Sequence, residues 1–190
     1  LFPELRYLDA SGSTMSLADF NCNVYLIYLN LSSCSKHNIS GVTLTNLQFI
    51  GLSNNRLLSL DTTIFLQLPN LVIVFLNSNP LQKITRKQLK HIHYALKHVD
   101  MSRTALTMLS SEVSLYLVSL QHLNVSCSAI ETIGIQGFKN MPRLTELDIR
   151  KNSISNFPYD LFSGSYHLKN IFSSDYRFCC ERLLPQNSNV

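Results

Sequence analysis

Residues 71–81 read Leu71-Val72-Ile73-Val74-Phe75-Leu76-Asn77-Ser78-Asn79-Pro80-Leu81. Apolar side chains stand at the first, fourth, sixth and eleventh places, with an amide at the ninth, which is the pattern L-x-x-L-x-L-x-x-N-x-L. One unit upstream, Leu47-Gln48-Phe49-Ile50-Gly51-Leu52-Ser53-Asn54-Asn55-Arg56-Leu57 fits the same template. Working outward, the first place falls at Leu5, Leu26, Leu47, Leu71, Leu96, Leu120, Leu144 and Leu168, at intervals of 21, 21, 24, 25, 24, 24 and 24 residues.

The inner places agree. The fourth and sixth are Leu8 and Ala10, Leu29 and Leu31, Ile50 and Leu52, Val74 and Leu76, Val99 and Met101, Leu123 and Val125, Leu147 and Ile149. The eighth unit keeps Leu168 and Ile171 but has Ser173 where an apolar residue belongs, so the array is expected to end there. The ninth place holds Asn55, Asn79 and Asn152, or the smaller Ser13, Cys34, Thr104 and Ser128. An amide side chain there satisfies backbone groups where a strand turns outward.

Between these segments a second apolar set recurs, as in Leu60, Phe65, Leu68, Pro69 and Ile133, Phe138, Met141, Pro142. With its period the chain resembles the 24-residue leucine-rich repeat of animal extracellular proteins. A single such unit cannot bury its own apolar side, so neighbouring units stack and share one core. The expected fold is an α/β repeat: a right-handed, curved leucine-rich-repeat solenoid with a concave parallel β-sheet and an irregular or short-helical convex side. The spacing L-x-x-L also suits a helical period, but helices leave the Asn or Ser at a fixed offset unexplained.

The 190 residues, 45% hydrophobic and 15% charged, fit a folded protein and exclude disordered or collagen-like sequence. The net charge of +4 is too small for a nucleic-acid partner by default. The apolar run Leu71–Leu76 falls far short of the ~20 residues needed to span a bilayer as a helix. No signal peptide is visible in Leu1-Phe2-Pro3-Glu4-Leu5, which reads like the tail of a preceding repeat, and upstream repeats with their cysteine-rich cap are expected outside this sequence.

The array is expected to cover residues 1–172 and a cysteine-containing flank residues 173–190. Across that boundary, after Ile171, the sequence runs Phe172-Ser173-Ser174-Asp175-Tyr176-Arg177-Phe178-Cys179-Cys180. Adjacent cysteines after an aromatic and polar lead-in resemble the hinge of leucine-rich-repeat G-protein-coupled receptors, most closely the relaxin-receptor-like and related invertebrate members. The resemblance implies that Cys179 and Cys180 bond to partners nearer the membrane. It also implies that the repeats bind a peptide or protein hormone, and that a seven-helix domain outside this sequence passes the signal to a G protein. A Toll-like innate receptor, or a secreted or cell-surface adhesion protein, uses the same repeats. Such proteins usually end in a C-x-C cap, which this chain lacks.

Of the five cysteines, Cys34 and Cys127 are expected to be buried packing residues, and no zinc half-sites are present. Cys22 reaches Cys34 only if its loop folds back. Adjacent cysteines such as Cys179 and Cys180 rarely bond each other. The pair, with sequons at Asn30, Asn38 and Asn124, favours an oxidising, extracellular setting.

Residues between the template leucines point out of the core along each strand. They form one column, Tyr7, Tyr28, Phe49, Ile73, His98, His122, Glu146 and Asn170, and a second, Asp9, Asn30, Gly51, Phe75, Asp100, Asn124, Asp148 and Phe172. Tyr28, Phe49, Ile73 and Phe75 make an apolar patch; Asp100, Glu146 and Asp148 make an acidic one, with His98 and His122 between. Aromatic anchors beside charge suit a protein ligand, and these nine residues are the candidate ligand-binding set. Two histidines and a carboxylate without a shaped cavity are a poor metal site. The acid-free stretch Lys83 to Lys97, with Arg86, Lys87, Lys90, His91 and His93, is placed on the return path, where a basic face attracts sulfated glycans or acidic partners. No phosphate loop, nucleophile elbow or zinc-protease motif occurs, so neither enzyme activity nor a cofactor is expected.

Overall fold

The computed structural model describes residues 2–179 apart from Pro3, Ser16, Asn21, Ser40, Gly41, Val42, Lys90, His91, His93, Tyr116 and Tyr159. Cys180 and three members of the basic stretch therefore lie outside the described residues.

Strands begin two residues after every first-place leucine: β1 (Tyr7–Asp9), β2 (Tyr28–Asn30), β3 (Phe49–Gly51), β4 (Ile73–Phe75), β5 (His98–Asp100), β7 (His122–Asn124), β9 (Glu146–Asp148) and β10 (Asn170–Phe172). They form one parallel sheet in the order β1-β2-β3-β4-β5-β7-β9-β10. Each residue pairs with its template equivalent, for example Tyr28 with Phe49 and His98 with His122. The chain is a leucine-rich-repeat solenoid.

The returns are short helices, α1 (Ile64–Gln67), α2 (Arg86–Leu89) and α3 (Ser111–Ser114), with irregular segments between them. Four residues are too few for a helix to hold itself together in water, so packing does the work, with Ile64, Phe65, Leu89 and Val113 buried in the core. Thr85 and Gln88 add a capping interaction: Gln88 Oε1 accepts from the Thr85 N–H at 2.7 Å, while its Nε2 donates to the Leu60 carbonyl at 2.6 Å. A second, two-stranded sheet pairs β6 (Met108–Leu109) with β8 (Thr132–Ile133). The apolar period did not foresee it, because the template ends before those residues.

First-place Leu26, Leu47, Leu71, Leu120 and Leu144 are completely buried, as are Leu29, Leu57, Leu81 and Leu147. Each buried leucine contributes roughly 1.5–3 kcal/mol by removal from water. Leu5, Leu8, Leu168 and Ile171 pack against the same core but stay partly exposed, since β1 and β10 each have a neighbour on one side only.

Two devices turn the chain at each strand end. The eighth place is left-handed in seven consecutive units, at Gly12 (φ 71°), Ser33 (59°), Asn54 (54°), Ser78 (58°), Arg103 (55°), Cys127 (55°) and Lys151 (54°). From Gly12 to Cys127, the N–H at this place donates to the seventh-place carbonyl of the next turn, as in Ser78 to Ser102 at 2.9 Å, so the ladder continues around the bend. Cys127 is therefore half-exposed at a bend, not buried as its sequence position suggested.

The ninth-place side chain is the second device. Asn55 Nδ2 donates to Leu31 O of the preceding turn at 2.9 Å and to Leu52 O at 3.0 Å, while its Oδ1 accepts from Cys34 N–H at 3.0 Å. Asn79 and Asn152 repeat this with Leu52 O and Val125 O of the turns before them. Cys34 is buried and aims its thiol at the equivalent carbonyl, Ala10 O, at 3.4 Å. Cys22 and Cys34 are both free thiols. Among the described residues no helix is long and apolar enough to cross a membrane.

Candidate ligand-binding face

The two outward columns exist as continuous strips, because parallel pairing in register sets equivalent places side by side at ~4.8 Å per strand. In the first strip Tyr7 and Tyr28 lie 6.4 Å apart, and Tyr28 stacks on Phe49 at 4.2 Å with the rings 8° from parallel. Phe75, from the second strip, meets Phe49 edge-on at 5.3 Å. Gly51 separates Phe75 from Asn30 in that strip, and a Cβ on Gly51 would fall 2.4 Å from Asn30 Oδ1. Asn30 thus fills space that a side chain at residue 51 would claim. Tyr7, outside the candidate set, extends the aromatic run and is 67% exposed.

Beyond β4 the chemistry changes. The imidazoles of His98 and His122 stack at 4.4 Å and 11°, and His122 Nδ1 lies 3.7 Å from Glu146 Oε2. Desolvation, then the neighbouring His122 and Lys97, hold His98 below its ordinary pKa, with Glu146 opposing. Lys97 is exposed immediately before β5. It belongs beside the sheet, not on the return path, because it occupies the second template place. Lys83, Arg86 and Lys87 are exposed on and before α2, as expected for the return.

The second strip is more occupied than its residue types suggested. The fifth-place side chain accepts the seventh-place N–H of its own turn at Asp9, Asn30, Asp100, Asn124 and Asp148. Such Asx turns are local bonds that Asp and Asn make readily. Asp9, whose carboxylate accepts from Ser11 and from Asn30, is held below the usual carboxylate range. Asn30 and Asn124 also donate Nδ2 to the aspartate one turn earlier, Asp9 at 3.1 Å and Asp100 at 3.3 Å.

Asp148 is 9% exposed and forked by Arg150, with Nε to Oδ1 at 3.0 Å and Nη2 to Oδ2 at 2.6 Å. Asp148 in turn raises the Arg150 pKa. A ligand therefore meets Asp148 as a neutralised pair, and Asp100 and Glu146 carry the open negative charge. Arg150 also lies 5.3 Å from the centroid of Phe172. The sequence signal for this missed residue is the spacing Asp148-x-Arg150, which returns as Asp175-x-Arg177.

Phe75, His98, Asp100, His122, Glu146 and Asp148 line a shallow depression of about 160 Å³. The structure thus brings Tyr28, Phe49 and Phe75 into ring contact, sets His98 against His122 beside Glu146, and places Asp100 and Asp148 in the lining of the same depression. Ile73 sits half-buried between them in β4. No group of three or more His, Cys, Asp and Glu among the described residues is placed to hold a metal.

Of the sequon asparagines, Asn30 and Asn124 lie in β2 and β7, half-buried on this face, while Asn38 is exposed off the sheet. At the far end Tyr176–Cys179 forms a 3-10 turn. Arg177 clamps it to the previous turn through the Ile154 carbonyl at 2.7 Å and the Ser155 carbonyl at 2.9 Å, over the Phe157 ring at 4.5 Å.

Residues 118–172 match the leucine rich repeat family model. Over 123 residues the chain is 28% identical to leucine-rich repeat-containing G-protein coupled receptor 5 of Rattus norvegicus, which covers 65% of this chain and 13% of the relative. It is 30% identical over 175 residues to Toll-like receptor 7 of Mus musculus (81% and 16%). It is 29% identical over 154 residues to transforming growth factor beta activator LRRC33 of Danio rerio (78% and 22%). The chain therefore spans between 13% and 22% of the length of these relatives.

Among solved structures, the glycosylated Toll–Spatzle complex of Drosophila superposes with a TM-score of 0.76 at 18% identity, covering 90% of this chain and 29% of the other. The TLR13–ssRNA13 complex does so at 0.65 and 23%, covering 87% and 28%. These likenesses support the fold. Repeat register and strand order make this chain a leucine-rich-repeat solenoid, and it is similar in sequence to parts of these relatives.

Proposed function

We propose that the chain is an extracellular ligand-binding portion of a receptor and that it takes a peptide or protein on the concave sheet. One observation carries this reading. Aromatic rings in contact from Tyr7 to Phe75 adjoin an imidazole pair and the open carboxylates of Asp100 and Glu146, all on one sheet face. Interfaces concentrate affinity in aromatic anchors and orientation in flanking charge. Carboxylates along the strip disfavour a phosphate backbone, so a nucleic acid is not the partner proposed.

Coupling through a hinge around residues 176–180 to a seven-helix domain and a G protein is the finer reading, supported by the likeness to a G-protein-coupled receptor and by the paired cysteines. A Toll-like ectodomain is the second reading, favoured by a match that covers more of this chain. In both the chain faces the outside of the plasma membrane. The cysteine pair, the sequon glycans and the boundary at residue 172 belong to the same proposal.

Two experiments test it. Sequencing the transcript past Val190 separates the readings: seven apolar segments support the first, one supports the second, and an immediate stop codon supports a secreted protein. Peptides selected on the wild-type chain from a displayed library are expected to lose binding to Phe49→Ala and Phe75→Ala while both variants keep their fold. Undiminished binding to both would remove the concave face from the proposal.

A further inference from the structure

The histidines in the middle of this face are built as a pair. Equivalent places in β5 and β7 stack their rings at 4.4 Å, and the next strand brings Glu146 Oε2 to 3.7 Å from His122 Nδ1. The titratable and charged groups around them are few. β4 offers Ile73 and Phe75, neither ionisable. β5 adds Asp100, with Lys97 immediately before it; β9 adds Glu146 and Asp148, the latter already held by Arg150.

Two rings this close do not take up their protons independently, because the first charge opposes the second across a few ångströms of partly desolvated space. The first proton has a counter-ion in Glu146 on one flank. The second meets a charged ring, with Lys97 adding to the repulsion.

Resting on the concave-face reading above, we propose that His98, His122 and Glu146 form a proton-sensitive element that weakens partner binding as the surroundings acidify through the histidine range. Before a proton is taken up the depression presents neutral rings beside the open carboxylates of Asp100 and Glu146, so its complementary partner is neutral or cationic. Uptake of one proton pairs Glu146 internally and sets positive charge where that partner sits. The pKa of His98, lowered first by desolvation and then by the neighbouring His122 and Lys97, agrees with this geometry.

Nuclear magnetic resonance of the imidazole Cε1–H signals of the whole chain, from about pH 8 to about pH 4.5, tests the pair without a ligand. The expected result is two coupled steps more than ~1 pH unit apart. His122→Asn should leave His98 with a single step at higher pH, and Glu146→Gln should shift the first step to lower pH. Independent single steps with one midpoint, unmoved by either substitution, would overturn the proposal.

A second arm uses the displayed peptides selected near pH 7.5. Affinity for the wild type should fall about tenfold or more near pH 5.5, a difference of about 1.4 kcal/mol, and the fall should shrink in a His98→Asn, His122→Asn double variant. Peptides that need Phe49 and Phe75 yet bind equally at both pH values would sink the proton-sensitive element and leave the docking face standing. Peptides indifferent to those phenylalanines would sink the docking face itself, and with it the effect on partner binding.

Discussion

Asn79 donates from Nδ2 to the carbonyl of Leu52 in the preceding turn at 2.8 Å, and Asn79 is 2% exposed. The same amide donates to Leu76 O at 2.9 Å and accepts the Leu57 N–H at 3.1 Å, so one side chain satisfies three backbone groups where two turns bend together. Removing it strands those groups away from water. Asn79→Ala should cost roughly 1–3 kcal/mol, the range for leaving buried polar groups unpaired. Urea unfolding of the variant beside Asn152→Ala, whose side chain is less buried, should show the larger loss at Asn79.

Gly164 and Gly12 separate strain from space. Both have positive φ, 93° and 71°, but a Cβ on Gly164 would sit 2.2 Å from the Lys139 carbonyl oxygen, whereas nothing lies within 4 Å at Gly12. Backbone cannot swing aside as a side-chain end does. Gly12→Ala should cost about 1 kcal/mol for the left-handed conformation alone, and Gly164→Ala clearly more. Thermal melts of the two variants give the comparison directly.

The stack of Tyr28 on Phe49 is exposed enough for truncation to leave the core intact. A double-mutant cycle with Tyr28→Ala and Phe49→Ala should yield a coupling of about 0.5–1.5 kcal/mol, typical of an aromatic pair.

Thiol accessibility checks the bends. Cys127 at φ 55° and the exposed Cys22 should be alkylated in the native chain, and buried Cys34 only on unfolding. Site-resolved mass spectrometry after a short pulse of iodoacetamide reads all three.

Stability should depend on His98. Its folded pKa lies below the ordinary 6.5, with burial as the first cause, so the unfolded chain binds the proton more tightly. The contribution is therefore fully present above about pH 6.5 and is lost as pH falls through the folded value. Melting temperature should drop over this window in the wild type, and the drop should be smaller in His98→Asn.

The repeat made the fold legible. The offset of two residues from leucine to strand holds in all eight strands of the larger sheet, since stacking leaves a chain with that period one register in which Leu26, Leu47 and Leu71 share a core. Both outward columns follow from the same offset. Less legible was what those columns do for the fold itself. Asp100 and Asp148 look like free acids in the sequence, yet each first accepts an N–H of its own turn, and Asp148 then draws Arg150 onto itself. Period alone says nothing of such local bonds, nor of the left-handed place that exposes Cys127, because both belong to the bend and not to the strand.

Stacking in register is what turns scattered side chains into a binding strip, and distances between spin labels measure it. With a nitroxide at residue 28 and a second at 122, 146 or 170, the spacing of ~4.8 Å per strand gives backbone separations of roughly 19, 24 and 29 Å, shortened slightly by curvature. Electron–electron resonance should return distances that lengthen in that order. A pair at 28 and 170 closer than the pair at 28 and 122, or three distances unrelated to strand order, would contradict the stacked array and the face built on it.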